Sequence, residues 1–81
     1  MKSPTALIAD DEPLLRAQLR ETLAAVWPEL TIVAEARDGA EAIRLVRSHA
    51  PAFTFLDIEM PVLNGLEAAR AVRELTQVVF V

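Results

Sequence analysis

The chain has 81 residues, 53% of them apolar, with eight Lys and Arg against twelve Asp and Glu for a net charge of −4. That length allows one small domain, burying roughly 60–65% of its unfolded surface, and so rich an apolar content excludes intrinsic disorder. The basic residues Lys2, Arg16, Arg20, Arg37, Arg44, Arg47, Arg70 and Arg73 are dispersed, so DNA binding by this segment is not expected, and the lack of cysteine excludes disulfides and thiolate metal centres.

No stretch approaches the roughly 18 apolar residues of a membrane span, and the first apolar run is too short for a signal peptide. A cytoplasmic location is expected. The first strand is predicted at Thr5–Asp10. Pro13 suits the first position of a helix, and Leu14, Leu15, Leu19, Leu23, Val26 and Trp27 recur at helical spacing until Pro28 stops the run. Leu30–Ala36 reads as a second strand. Asp38 followed by Glu41 resembles a capping box, with Ala42, Ile43, Leu45 and Val46 as the apolar stripe of a second helix that Pro51 closes. Ala52–Leu56 reads as a third strand. Met60–Gly65 is turn-rich, with Asn64-Gly65 suited to positive φ. A third helix is predicted at Leu66–Leu75 with Leu66, Ala69, Val72 and Leu75 inward, and a fourth strand at Val78–Val81. Strands alternating with helices imply parallel βαβ units with right-handed crossovers.

Two of these strands stop at acid. Ala6-Leu7-Ile8-Ala9 leads into Asp10-Asp11-Glu12, and Phe53-Thr54-Phe55-Leu56 leads into Asp57. Were the two strands neighbours in a parallel sheet, three carboxylates would meet at the rim where open α/β sheets bind ligands. At about 5 Å separation and an effective dielectric near 20, each like-charge pair costs roughly 3 kcal/mol. A bound cation relieves that repulsion. Hard oxygen donors without His or Cys suit Mg2+, Mn2+ or Ca2+, and Mg2+ keeps waters that a phosphate can replace. A carboxylate such as Asp57 can also attack phosphorus and form an acyl phosphate.

Asp10-Asp11-Glu12-Pro13, Phe55-Leu56-Asp57-Ile58-Glu59-Met60-Pro61 and Asn64-Gly65-Leu66-Glu67 together resemble the receiver domain of two-component response regulators, in order and spacing, over nearly the whole chain. Residues 10–16 and Val78–Val81 look most like the receivers of the LytR/AlgR type. The resemblance implies a flavodoxin-like, doubly wound parallel sheet, here in strand order 2-1-3-4 without the fifth strand and the last two helices. Residues 1–81 are then a truncated receiver domain. Asp57 matches the phospho-acceptor, Asp11 the direct Mg2+ ligand and Asp10 the acid that holds metal-bound water. Glu59 matches the position whose backbone carbonyl completes the metal site. Met60, Pro61 and Gly65 match the loop shaping the pocket.

The resemblance further implies phosphorylation by a sensor histidine kinase and an appended DNA-binding output domain. The receiver transfers the phosphoryl group to itself but is classed as a regulator, not an enzyme. Leu15 and Arg16 lie on the helix that docks the kinase in this family. The family's Thr or Ser directly after the fourth strand and its Lys at the end of the fifth fall beyond Val81. With strand four at an open edge, the 81-residue chain is expected to self-associate, swap elements or fold only marginally. A non-phosphorylated dimerisation or partner-binding module is the alternative function. Strand-end acids that merely cap helices are the plainest alternative for Asp10, Asp11 and Asp57. His49, the lone histidine, is expected to cap the second helix. Trp27 and Phe80 are expected to pack.

Overall fold

A computed structural model describes residues 3–81; Lys2, counted above among the dispersed basic residues, lies outside them. The chain runs β1 (Thr5–Ala9), α1 (Pro13–Val26), β2 (Thr31–Ala36), α2 (Gly39–His49), β3 (Phe53–Leu56), α3 (Gly65–Val72) and β4 (Gln77–Phe80). All strand pairs are parallel, in the order β2-β1-β3-β4. This is the flavodoxin-like arrangement. From β1 the chain steps outward through α1 to β2, then returns past β1 through α2 to β3 and on through α3 to β4. Because each crossover is right-handed, reversing direction places α1 on one face of the sheet and α2 and α3 on the other. The reversal lies between β1 and β3.

Side chains alternate across each strand and so feed two cores. Leu7, Ala9, Ala36 and Leu56 face α2 and α3, where Ala42, Val46, Ala68 and Val72 meet them. Ala6, Ile8 and Phe55 face the other way, where Leu23 of α1 is buried with Leu19 packed beside it. Trp27 closes this second core at one end, edge-on to Phe53 with ring centroids 5.1 Å apart. Between β3 and the turn before β4, the buried Thr54 and Thr76 hydroxyls hydrogen-bond each other at 2.9 Å. A bulge in β2 leaves Val33 unpaired between Ile32 and Ala34.

The apolar residues recurring along α1 divide between two faces, and α3 differs from the expectation. Leu14 is 69% exposed, and Leu15 and Val26 are exposed as well. Leu14 precedes Leu23 by nine residues, and at about 100° per residue that puts it on the opposite side of the helix. The wide Leu-rich pattern therefore could not be inward all round. In addition α1 covers its face alone, and a helix about 10 Å across spans only about half of four strands spaced about 4.8 Å apart. In α3, which ends at Val72, Ala68 and Val72 are buried and Ala69 packs partly buried against the same core as expected, while Leu66 and, beyond the helix end, Leu75 are exposed. Leu66, Ala69, Arg70, Arg73, Val78 and Phe80 line a groove of about 450 Å3 between α3 and β4.

The caps also differ. Asp38 accepts from the Glu41 N–H as expected, but the Glu41 carboxylate turns to the Arg37 N–H at 2.8 Å, not to Asp38. The reciprocal capping box sits instead at Asn64 and Glu67 of α3. α2 ends on Ala50 in the left-handed region, with Arg47 and exposed His49 in its last turn. Among the described residues no helix is long and apolar enough to cross a membrane.

Candidate functional site

The register of β1 and β3 builds the site. Ala9 pairs with Leu56, and the Asp57 N–H donates to the Ala9 carbonyl at 3.0 Å. One step further along each strand, Asp10 and Asp57 must lie side by side. Asp11 follows as the chain turns toward α1. The structure thus brings Asp10, Asp11 and Asp57 together, each with a carboxylate oxygen within 4.8 Å of the others. They sit at the C-terminal rim of adjacent parallel strands whose connections leave in opposite directions, the usual ligand crevice of an open α/β sheet.

The three acids differ in setting. Asp10 is buried, and its Oδ1 accepts the Glu12 N–H at 2.9 Å. Asp11 is exposed. Asp57 is half-buried, and its Oδ1 accepts the Glu59 N–H at 3.2 Å. Glu12 precedes α1 without making a side-chain cap, and Glu59 is exposed. Met60 is buried in the α2–α3 core, which ties the loop after Asp57 to the fold.

The donor set fits a small hard cation. Oxygens bound to an octahedral ion at about 2.1 Å lie no more than about 4.2 Å apart. Carboxylate oxygens gathered within 4.8 Å of one another are on the scale of such a coordination sphere. The buried polar side-chain atoms described all have partners, whereas the exposed Asp11 carboxylate makes no described hydrogen bond.

Three features of the site were not legible in the motifs. First, Gly65 is needed for close approach, not positive φ: a Cβ there would overlap the Asp57 carbonyl, and the Gly65 N–H donates to Ile58 at 2.8 Å. Second, the left-handed residue of this loop is Val62, at φ 69° and exposed. For a β-branched residue that backbone is strained. Third, Arg16 turns inward: its Nη1 donates to the Asp10 carbonyl at 2.8 Å and its Nε to Glu35 at 3.1 Å. Leu15 beside it stays exposed. Glu35 as the one charged residue of β2, with Arg16 and Arg20 one turn apart, is the signal that could have revealed this link.

A parallel 2-1-3-4 sheet with acids gathered at its switch point defines an open, doubly wound α/β module with a ligand crevice at its carboxyl rim. The chain belongs to the response regulator receiver domain family, which it matches over residues 6–81. It is 52% identical over 66 residues to an uncharacterized response regulatory protein of Vibrio cholerae serotype O1, covering 82% of this chain and 25% of that protein. A Myxococcus xanthus protein-glutamate methylesterase/protein-glutamine glutaminase is 46% identical over 66 residues, again 82% of this chain but 18% of the relative. Among solved structures, the signal receiver domain of the putative response regulator NarL from Mycobacterium tuberculosis superimposes with a TM-score of 0.90 at 35% identity, covering 99% of this chain and 66% of that one. The CheY-containing complex CheX–CheY–BeF3–Mg2+ from Borrelia burgdorferi gives a TM-score of 0.86 at 26% identity, with 95% and 60% covered.

The chain therefore spans a quarter or less of these two curated relatives and up to two thirds of these receiver structures. The receiver is a signalling module, and the esterase activity in one relative's name is that whole protein's. Relatives of several kinds match, so the comparisons give the receiver class without singling out the LytR/AlgR type.

Proposed function

We propose that this chain is the phospho-accepting part of a response regulator, with Asp57 as acceptor. One observation carries the reading: carboxylate oxygens of Asp10, Asp11 and Asp57 lie within 4.8 Å at the ends of neighbouring parallel strands. Mg2+ would be held by Asp11, Asp57 and the Glu59 backbone carbonyl, with Asp10 holding metal-bound water. When bound, it would neutralise charge on the transferring phosphoryl group. An Asp57 carboxylate oxygen attacks the phosphorus of a phosphohistidine on a sensor histidine kinase. The O–P bond forms as the P–N bond breaks, and the imidazole nitrogen keeps the bonding pair and takes a proton. The added phosphate brings about −1.5 to −2 charge, enough to bias the loop after β3 and so signal.

Further parts of the reading rest on the family. Residues 1–81 form one receiver unit, shorter than the receiver structures it matches, acting in the cytoplasm. Its output is transcription control through a DNA-binding domain outside these residues, of the LytR/AlgR type that residues 10–16 and Val78–Val81 resemble.

Mg2+ tests the site. At tenfold excess over its dissociation constant, a ligand specific for the folded state stabilises by about 1.4 kcal/mol. For a domain of this size that is a rise in melting temperature of roughly 6–11 °C. Asp11→Ala abolishes the rise. An unchanged melting curve for the unaltered chain in millimolar Mg2+ would count against an assembled site.

A second reading is favoured by the surface at β4. Its outer edge has no paired strand among the described residues, and exposed Phe80 and Leu66 line the adjoining groove. On this reading the 81-residue chain self-associates through that edge. Sedimentation at micromolar concentration is expected to detect dimers or larger species, and a stable monomer rules this out. Beryllofluoride with Mg2+ separates the two readings, since a switch binds it at Asp57 and a purely assembling module does not.

A further inference from the structure

We infer that Arg16 is a positioning residue for the acidic site, fixing the Asp10–Asp11 peptide so that the Asp11 carboxylate faces Asp57. This rests on the proposed metal site and adds a residue outside its ligand set. Asp10 is held on three sides. Its N–H donates to the Ala36 carbonyl at 3.1 Å, its Oδ1 accepts the Glu12 N–H at 2.9 Å, and its carbonyl accepts from Arg16 Nη1 at 2.8 Å. Of these three partners only the last is a side chain. The Asp10 carbonyl belongs to the same rigid peptide plane as the Asp11 nitrogen. Rotating that plane would swing the Asp11 side chain, which no described hydrogen bond restrains.

Arg16 is itself anchored. Its Nε donates to Glu35 Oε1 at 3.1 Å, and Glu35 Oε2 accepts from Arg20 Nη1 at 2.8 Å. The Arg16 side chain is 16% exposed against 49% for Arg20, so Arg20 works as an outer brace on Glu35. The planar guanidinium reaches two acceptors at a fixed angle, one on β2 and one at the end of β1. A lysine ammonium is a point charge on a flexible stem and cannot reproduce that fork.

Charge and geometry make opposite predictions here. A cation beside three carboxylates disfavours a second cation, so losing Arg16 should tighten Mg2+ binding if charge were its whole effect. If Arg16 orients Asp11, losing it weakens binding. The test is a Mg2+ titration of the 81-residue chain, read from the amide chemical shifts of Asp11 and Glu59, with melting curves recorded alongside. Arg16→Lys, which keeps the charge, and Arg16→Met are both expected to weaken Mg2+ affinity about tenfold, in line with residues that orient metal ligands. Glu35→Ala leaves Arg16 in place but unanchored and is expected to weaken affinity by less. It also serves if Arg16→Met does not fold. Adding Glu35→Ala to Arg16→Lys should cost little more, because the pair acts as one unit. Wild-type affinity in Arg16→Lys, or tighter binding in Arg16→Met, overturns the inference while leaving the metal site standing. Failure of the unaltered chain to bind Mg2+ overturns both.

Discussion

Asp57→Asn is expected to abolish phosphoryl acceptance. With phosphoramidate as a P–N donor and Mg2+, the unaltered chain should gain the mass of one phosphoryl group, and the Asn variant none. The reason is chemical, not structural. Asn keeps the size and one carbonyl oxygen of Asp, but a neutral amide oxygen is a poor nucleophile and cannot form the acyl phosphate. The substitution also removes one of the three anionic donors gathered at the rim, so the Mg2+-dependent rise in melting temperature should shrink sharply. Fold stability without metal should not fall, because one of three neighbouring like charges is gone. Undiminished phosphorylation of the Asn variant would place the acceptor elsewhere. A metal-free Asn variant that melts well below the unaltered chain would make Asp57 a structural residue first.

Leu56→Ala is expected to cost about 2–5 kcal/mol, the range for emptying a fully buried leucine site. Leu56 is 0% exposed and belongs to the core that also holds Leu7, Val46, Ala68 and Val72. At about 0.05–0.15 kcal/mol per residue the whole chain has roughly 4–12 kcal/mol of stability, so the loss is a large fraction of the total. Urea unfolding should show a lower midpoint with the slope unchanged. Because Leu56 directly precedes Asp57, the cavity also loosens the strand end that carries the acceptor, and Mg2+ binding should weaken with stability. Leu14→Ala is the natural contrast: Leu14 is as apolar but faces solvent, and such a change stays within about 0.5 kcal/mol. Equal effects from the two substitutions would contradict the packing of α2 and α3 against β3.

How much of this was legible beforehand differs from element to element. The strand ends at Asp10 and Asp57 could be read directly, because an apolar run stopped by acid is a local signal. So could the alternation of strands and helices. The inward face of α1 could not. Leu14, Leu15, Leu19 and Leu23 all fit a helical pattern, and periodicity says which residues recur without saying how much of the sheet lies beneath them. Asn64-Gly65 looked like a positive-φ turn from its composition. In fact Asn64 caps α3, and Gly65 is small because the Asp57 backbone presses against it.

The order of elements, the acids at two strand ends and the family motifs were properties of the chain alone, since each depends on residues a few positions apart. Whether those acids meet depended on which strands are neighbours, and that is decided by the handedness of crossovers and the burial of two cores. The same holds for Arg16. Its partners, the Asp10 carbonyl and Glu35, are 6 and 19 residues away, and only the packing of α1 over β1 and β2 directs its guanidinium to both.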